Sequence, residues 1–199
     1  PGVAIHLIDE RVDSDGKVRK DTFHSEHGLA DYVAYINRGK SEYSPLIVLS
    51  KEDKKSQIIC DIAMQYTDAT SEVLLAFGNN IVNPDGGTHV SGFKTLLTRT
   101  INAYAKRNNL IKNLTPSGDD LREGLTTIIS VKLSEPQFNN QTKEKLLNPE
   151  VESFISTLVS KMLGSWLEEH PSESRKICTK AILAAEAREA ARKARELIK

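Results

Sequence analysis

Hydrophobic and polar residues alternate in several short segments in the first part of the chain, a pattern that predicts half-buried β-strands. The alternating segments are residues 3–10, 18–23, 58–66 and 73–77. Only a short polar turn separates the last two, so we expect them to pair with each other as a hairpin. A short apolar run at residues 46–49 indicates an edge strand. Residues 125–133 are almost entirely β-branched or apolar, which is typical of a fully buried strand.

From Thr88 onward the spacing of the hydrophobic residues lengthens to that of an α-helix. One face of the first such helix carries Val90, Phe93, Leu97, Ile101 and Tyr104. Residues 151–167 hold an unbroken apolar stripe, so a second long helix is expected to dock on the sheet. Pro171 is expected to end that helix, and Ser172 to cap the next one. Shorter helices are predicted at residues 29–36 and around Asp119–Asp120.

The last part of the chain differs in composition from the rest. Residues 181–199 are rich in Ala, Arg and Glu, which favours a long helix, but their apolar stripe is thin and indicates a strut. We therefore predict an α+β fold with helices on one face of a mixed sheet. The predicted domains are a core over residues 1–170 and a C-terminal helical extension over residues 171–199. Because the chain starts at Pro1 without Met and enters a strand at once, we interpret it as a fragment.

Charge and cysteine content narrow the possible functions. The 27 Lys and Arg residues balance 27 Asp and Glu residues, which argues against a domain that binds nucleic acid tightly by itself. Two cysteines and the lack of a secretory segment fit a reducing, cytoplasmic environment. No apolar run approaches the length of a membrane span, so contact with a membrane is not expected.

Three polar clusters have both a chemical and a structural interpretation. Residues 83–89, NPDGGTH, open a helix with backbone amides that could hold a phosphate, but no Walker lysine follows, so a strand-to-helix turn is preferred. Residues 24–27 contain two histidines and a glutamate without the spacing or the additional ligands of a metal site. Asp119 and Arg122 are interpreted as an ion pair within one helical turn rather than as acid–base residues.

One lysine lies where a ligand contact is plausible. Residues 136–146, PQFNNQTKEKL, place Lys143 on a polar loop between the predicted buried strand and the long helix. A lysine on such a loop can reach a ligand and is still anchored to the core. Most loop lysines are simply exposed to solvent, so residue chemistry alone favours the structural interpretation.

Several separated motifs change this interpretation because they occur in the order found in one family. They are NNI..DGGTH..GF, GDD.REGL and QTK.KL. With them the chain resembles the transducer domain of DNA gyrase B, in the type IIA DNA topoisomerase family. The resemblance implies a fold like that of ribosomal protein S5 domain 2. Family members usually have an aromatic residue at Ser25 and glycine at His27, departures that we attribute to surface or packing variation.

The resemblance also implies roles for particular residues. In the family, the Gln and Lys of the QTK loop, here Gln141 and Lys143, contact the γ-phosphate of ATP. The basic residue after GF, here Lys94, would face the cavity that receives DNA. ATP and Mg2+ would be bound mainly by another domain, no metal site is expected in this chain, and the isolated chain is expected to be inactive.

The implied role of the whole subunit is to couple ATP binding and hydrolysis to DNA strand passage and supercoiling. The implied partners are a preceding ATP-binding domain in the same polypeptide, a second copy of the subunit, the gyrase A subunit and double-stranded DNA. The same domain of the topoisomerase IV ATPase subunit, which serves decatenation, is an open alternative. A stand-alone RNA-binding module of the same fold and a helical adaptor are less favoured.

Overall fold

A computed structural model describes residues 2–12 and 14–197. Parts of the predicted domains at Pro1, Asp13, Ile198 and Lys199 lie outside the described residues. The strands are β1 Ala4–Val12, β2 Val18–His24, β3 Ile47–Asp53, β4 Ile58–Tyr66, β5 Val73–Gly78, β6 Ile81–Val82 and β7 Leu125–Lys132. The helices are α1 Leu29–Ile36, α2 Thr88–Arg107, α3 Gly118–Arg122, α4 Pro149–Leu158, α5 Gly164–Glu169 and α6 Pro171–Leu197. A π-helical turn, Val159–Leu163, joins α4 to α5.

Five strands form a mixed sheet in the order β3-β4-β7-β5-β6. β7 is antiparallel to β4 and parallel to β5, and the other pairs are antiparallel. The predicted hairpin of residues 58–66 with 73–77 is therefore wrong, because β7 lies between these two strands. β7 is buried along all but its last residue, and a central position supplies it with partners on both edges.

The main core lies on one face of this sheet. There the buried side chains of β4 meet those of α2, α4 and α6, including Ile62, Phe93, Ile155 and Ile177. Ala63 and Ile128 face the other side, where α1 covers them with Val33. The α+β class is thus confirmed, with the larger helices on one face as predicted and the short α1 on the opposite face.

The predicted stripe of residues 151–167 is mostly buried, but it does not form one regular helix. The π-helical turn adds a residue to the helical repeat, which changes the phase of the stripe. Met162 is consequently 36% exposed, whereas Leu163 and Leu167 are buried. α6 begins at Pro171, so the prediction that Ser172 caps it is wrong. The hydroxyl of the buried Ser174 donates instead to the carbonyl oxygen of Leu167 at 2.9 Å.

The first two strands form a separate antiparallel ribbon. Four apolar side chains of this region, Val3, Ile5, Leu7 and Phe23, are 71, 61, 59 and 57% exposed. These side chains form an apolar surface that no other described residue covers. An isolated two-stranded ribbon of this kind is only marginally stable in water. Among the described helices, none combines the length and the apolar character needed to cross a bilayer.

Candidate functional site

The QTK loop, residues 136–146, follows the end of β7 and folds back on itself before α4. The Leu147 amide donates to the Gln137 carbonyl at 2.8 Å, and the Asn139 amide donates to the Lys145 carbonyl at 3.1 Å. At the tip, the Asn140 side-chain oxygen accepts from the Glu144 amide at 3.2 Å. These bonds give a polar loop with few apolar residues a defined conformation.

The loop is seated on the segment of residues 83–88, which leads from the end of β6 into the first residue of α2. Leu146 is fully buried, and its amide donates to the Gly86 carbonyl at 3.0 Å. The Leu146 carbonyl accepts from the Thr88 amide at 3.0 Å, and the Glu144 carbonyl accepts from the Asp85 amide, also at 3.0 Å. Since these amides of the 83–88 segment are already bonded, the preferred interpretation of the segment as a strand-to-helix turn agrees with the structure.

Gly87 is the residue that permits this close approach. Its φ angle is 136°, in a region that side-chain-bearing residues rarely adopt. A Cβ atom at this position would lie 2.1 Å from the Leu146 carbonyl oxygen and 2.6 Å from the Leu146 nitrogen. The Gly-Gly pair visible in the sequence therefore serves backbone contact with the QTK loop.

Lys143 and Gln141 are both exposed at the tip of the loop. Lys143 has a left-handed backbone conformation with a φ angle of 60°. Its ammonium lies 5.8 Å from the centroid of the Phe138 ring, close to the limit of a cation–π contact. Within the part of the chain that the structure describes, no carboxylate pairs with this ammonium, so its charge is available to an anion.

The carbonyl oxygen of Lys143 is held from below by a residue distant in sequence. Asn83, which is only 2% exposed, donates its side-chain Nδ2–H to this oxygen at 2.7 Å, across 60 residues of sequence. The sequence pattern does not indicate this contact, because Asn83 precedes Pro84 in a segment with the composition of a turn.

Lys94 lies on α2 and belongs to an ion-pair cluster. Its ammonium is 3.1 Å from the Glu72 carboxylate, which also pairs with Arg122 at 3.2 Å. The Lys94 side chain is 35% exposed, so part of its surface stays open to solvent. Arg122 also pairs with Asp119 at 2.5 Å, which confirms the ion-pair interpretation of these two residues.

His89 is fully buried at the start of α2. Burial lowers the pKa of its imidazole to about 4, so the ring is neutral near pH 7 and suits a structural role. Among the described residues there is no group of three or more His, Cys, Asp or Glu side chains arranged to hold a metal ion. The QTK loop tip therefore offers donors for an anion and no carboxylate set for Mg2+.

A family model for DNA gyrase B matches residues 28–197. The chain belongs to the DNA gyrase B family. It is 46% identical over 200 residues to the DNA gyrase B protein of Cytophaga aurantiaca, covering 99% of the chain and 42% of that protein. It is 45% identical over 202 residues to the DNA gyrase B protein of Clostridium acetobutylicum, covering 98% of the chain and 30% of that protein. The chain thus spans less than half the length of these gyrase B proteins.

Two solved structures, one of a gyrase B and one of a topoisomerase IV, share the fold of this chain. The 43K ATPase domain of Thermus thermophilus gyrase B, solved with an aminocoumarin, superimposes with a TM-score of 0.80 and 36% identity over 90% of this chain and 48% of that one. The topoisomerase IV ATP-binding domain of Francisella tularensis superimposes with a TM-score of 0.71 and 31% identity, over 85% and 46% of the two chains. The gyrase B fold and the type IIA assignment both agree with the sequence motifs.

Proposed function

We propose that the chain is the transducer domain of the ATPase subunit of a bacterial DNA gyrase, and that it couples ATP binding and hydrolysis to DNA strand passage and supercoiling. The observation that carries the proposal is the QTK loop, which is anchored to the core and holds, among the described residues, an unpaired lysine at its exposed tip. A loop of this kind can contact a ligand bound elsewhere and transmit its displacement to the sheet. Membership of the gyrase B family supports this role.

Lys143 and Gln141 supply the chemistry that a γ-phosphate contact needs. Lysine presents a compact cation on a flexible stem, which suits a phosphate oxygen, and the glutamine amide donates a neutral hydrogen bond beside it. When bound, ATP with its Mg2+ supplies the phosphoryl group whose charge changes on cleavage. The role of Lys143 is to stabilise negative charge on that group, and the role of Gln141 is to orient it.

The energy of this contact is large enough to matter for a conformational switch. A pair of unit charges about 4 Å apart near a protein surface interacts by about 4 kcal/mol. Moving an equilibrium from 1:99 to 99:1 requires about 5.5 kcal/mol of differential binding. Loss of the contact on phosphate release can therefore provide much of the energy for a rigid-body rotation of the domain.

One exposed surface supports one of the partners that this role requires. The apolar face of the β1–β2 ribbon suits cover by a preceding ATP-binding domain of the same polypeptide. The other proposed partners are a second copy of the subunit, the gyrase A subunit and double-stranded DNA. Lys94 is the residue proposed to face DNA. Its ion pair with Glu72 partly neutralises its charge and so weakens its attraction for a DNA phosphate.

Replacement of Lys143 tests the proposal in a polypeptide that joins this chain to its ATP-binding domain. We expect Lys143→Ala to lower kcat for ATP hydrolysis by about tenfold or more, because a charge that stabilises the transferring phosphoryl group is lost. Lys145→Ala is the matched control, since Lys145 is a lysine of the same loop. Equal ATPase rates for the two variants would refute the γ-phosphate contact. The isolated chain is expected to hydrolyse no ATP, and turnover by the purified chain would contradict this.

A role in topoisomerase IV is the second candidate, and the similarity to the Francisella tularensis topoisomerase IV domain supports it. The two functions differ in the product of the complete enzyme. Gyrase introduces negative supercoils into relaxed circular DNA, whereas topoisomerase IV separates linked circles. Assaying the reconstituted holoenzyme on both substrates distinguishes them, and we expect supercoiling.

A further inference from the structure

Asn83 occupies a fixed position beneath the tip of the QTK loop. Its backbone amide donates to the Ala76 carbonyl at 2.8 Å, and its own carbonyl accepts from the Gly86 amide at 2.9 Å. With both backbone groups bonded and the residue almost fully buried, the side chain has little freedom. Its Nδ2 therefore reaches the Lys143 carbonyl oxygen from a rigid base.

The residue that accepts this hydrogen bond has an unfavourable backbone conformation. Lys143 has a φ angle of 60°, in the left-handed region that lysine adopts infrequently. The Lys143 amide donates to the Asn140 carbonyl at 3.2 Å, which closes the tip on one side. The bond from Asn83 holds the other side. A left-handed residue at the tip sets the direction in which its side chain leaves the loop, so this bond helps to aim the ammonium.

The other polar atom of the Asn83 side chain has no such role. Its Oδ1 is buried and accepts no hydrogen bond among the described residues. An unsatisfied buried acceptor is unfavourable, and a leucine of similar size would remove it. The bond to the Lys143 carbonyl oxygen is thus the side-chain hydrogen bond that the Asn83 carboxamide makes among the described residues.

We infer that Asn83 is a positioning residue for Lys143 and holds the lysine in the orientation that its phosphate contact requires. The inference rests on the proposed function, because it assigns Asn83 a part in the same contact. It adds a residue of the 83–88 segment to a site that the motifs confine to the QTK loop. Asn83 itself is buried, so the inference gives it a part in the phosphate contact only through Lys143.

The test uses Asn83→Leu in the polypeptide that carries the ATP-binding domain, with ATP hydrolysis as the readout. We expect kcat to fall about two- to tenfold, the factor that corresponds to one neutral hydrogen bond. The matched control is Asn102→Leu. Asn102 also donates its Nδ2–H to a backbone carbonyl, that of Pro116 at 2.9 Å, and also has an unpaired buried Oδ1 among the described residues. It lies away from the QTK loop, so its replacement is expected to leave kcat unchanged.

A double-mutant cycle separates positioning from a general loss of stability. If Asn83 acts through Lys143, Asn83→Leu has no further effect on kcat when Lys143 is already alanine. The inference is overturned if Asn83→Leu lowers kcat by the same factor in both backgrounds, or if it matches Asn102→Leu. If Lys143→Ala alone leaves kcat unchanged, the proposed γ-phosphate contact falls first, and the inference with it.

Discussion

Replacement of Gly87 by alanine probes the seat of the QTK loop directly. The added Cβ would lie 2.1 Å from the carbonyl oxygen and 2.6 Å from the nitrogen of Leu146. Both are backbone atoms, and both are hydrogen-bonded, the nitrogen to the Gly86 carbonyl and the oxygen to the Thr88 amide. Relief of the overlap requires a shift of about 1 Å, which takes these two bonds well outside the usual range of about 2.7–3.2 Å for an N–H···O hydrogen bond.

The magnitude follows from these two effects. Loss of two neutral hydrogen bonds costs about 1–3 kcal/mol, and a strained φ for a residue with a side chain costs about 1–3 kcal/mol. We therefore expect Gly87→Ala to lower the free energy of unfolding by about 2–6 kcal/mol, a large share of the stability of a typical domain. Gly39→Ala is the control, since Gly39 has a φ of 79° but no atom within 4 Å of the position that a Cβ would take. That change adds only backbone strain, about 1–2 kcal/mol.

Urea unfolding followed by circular dichroism measures both variants, with equal slopes as the condition for comparison. If the loop detaches without unfolding the domain, the change is local, and the amides of Leu146 and Thr88 lose protection from hydrogen exchange instead. The reasoning is refuted if Gly87→Ala is no less stable than Gly39→Ala and both amides keep their protection.

Three further predictions concern buried ionisable groups. The pKa of His89 is about 4 in the folded state and near 6.5 in the unfolded state, so the free energy of unfolding should fall by about 3 kcal/mol as pH is lowered from 6.5 to 4. His89→Leu should remove this part of the pH dependence, which urea titrations at several pH values measure. Burial raises the pKa of Asp120, but hydrogen bonds from Arg188 at 2.9 and 3.0 Å and from Ser117 outweigh burial and leave it below its ordinary value. Arg188→Ala should therefore lower the urea midpoint at pH 7 more than the control Arg192→Ala, because the partners of Arg192 are on the exposed end of α6. The difference between the two variants should shrink as pH falls below about 4, where the carboxyl of the unfolded chain binds a proton. Burial raises the pKa of the two free cysteine thiols, Cys60 to about 12 and Cys178 to about 11, so a thiol reagent at about pH 8 should label neither before unfolding.

Local patterns predict the individual elements well, but they cannot predict how the strands pair. Alternation places β4 and β5 within one or two residues, because the side-chain period of a strand is a local property. The predicted hairpin between them is wrong because β7, which lies far beyond them in sequence, inserts between them. Its buried, β-branched sequence indicates a central strand, and only the three-dimensional arrangement shows which neighbours it takes.

The candidate site likewise has a part that the sequence predicts and a part that it does not. Residue chemistry cannot distinguish Lys143 from any exposed loop lysine, and only the family motifs single it out together with Gln141. The seat of the loop, formed by Asn83, Gly87 and Leu146, depends on contacts between segments about 60 residues apart that leave no periodic signal. The Gly-Gly pair is visible in the sequence, but a glycine pair is equally typical of a turn, an anion site and a close backbone contact.

The position of β7 explains why a contact at one loop can concern the whole domain. Its carboxyl end continues into the QTK loop, while α3, just before its start, holds α6 through the paired side chains of Asp120 and Arg188. Between these ends β7 is buried and hydrogen-bonded along both edges, so it cannot stretch or bend without breaking the sheet. We therefore expect that a displacement of the seated loop would not be absorbed within the strand. Under the proposed function, the displacement moves the sheet and the helices packed on it together, as a rigid-body rotation requires.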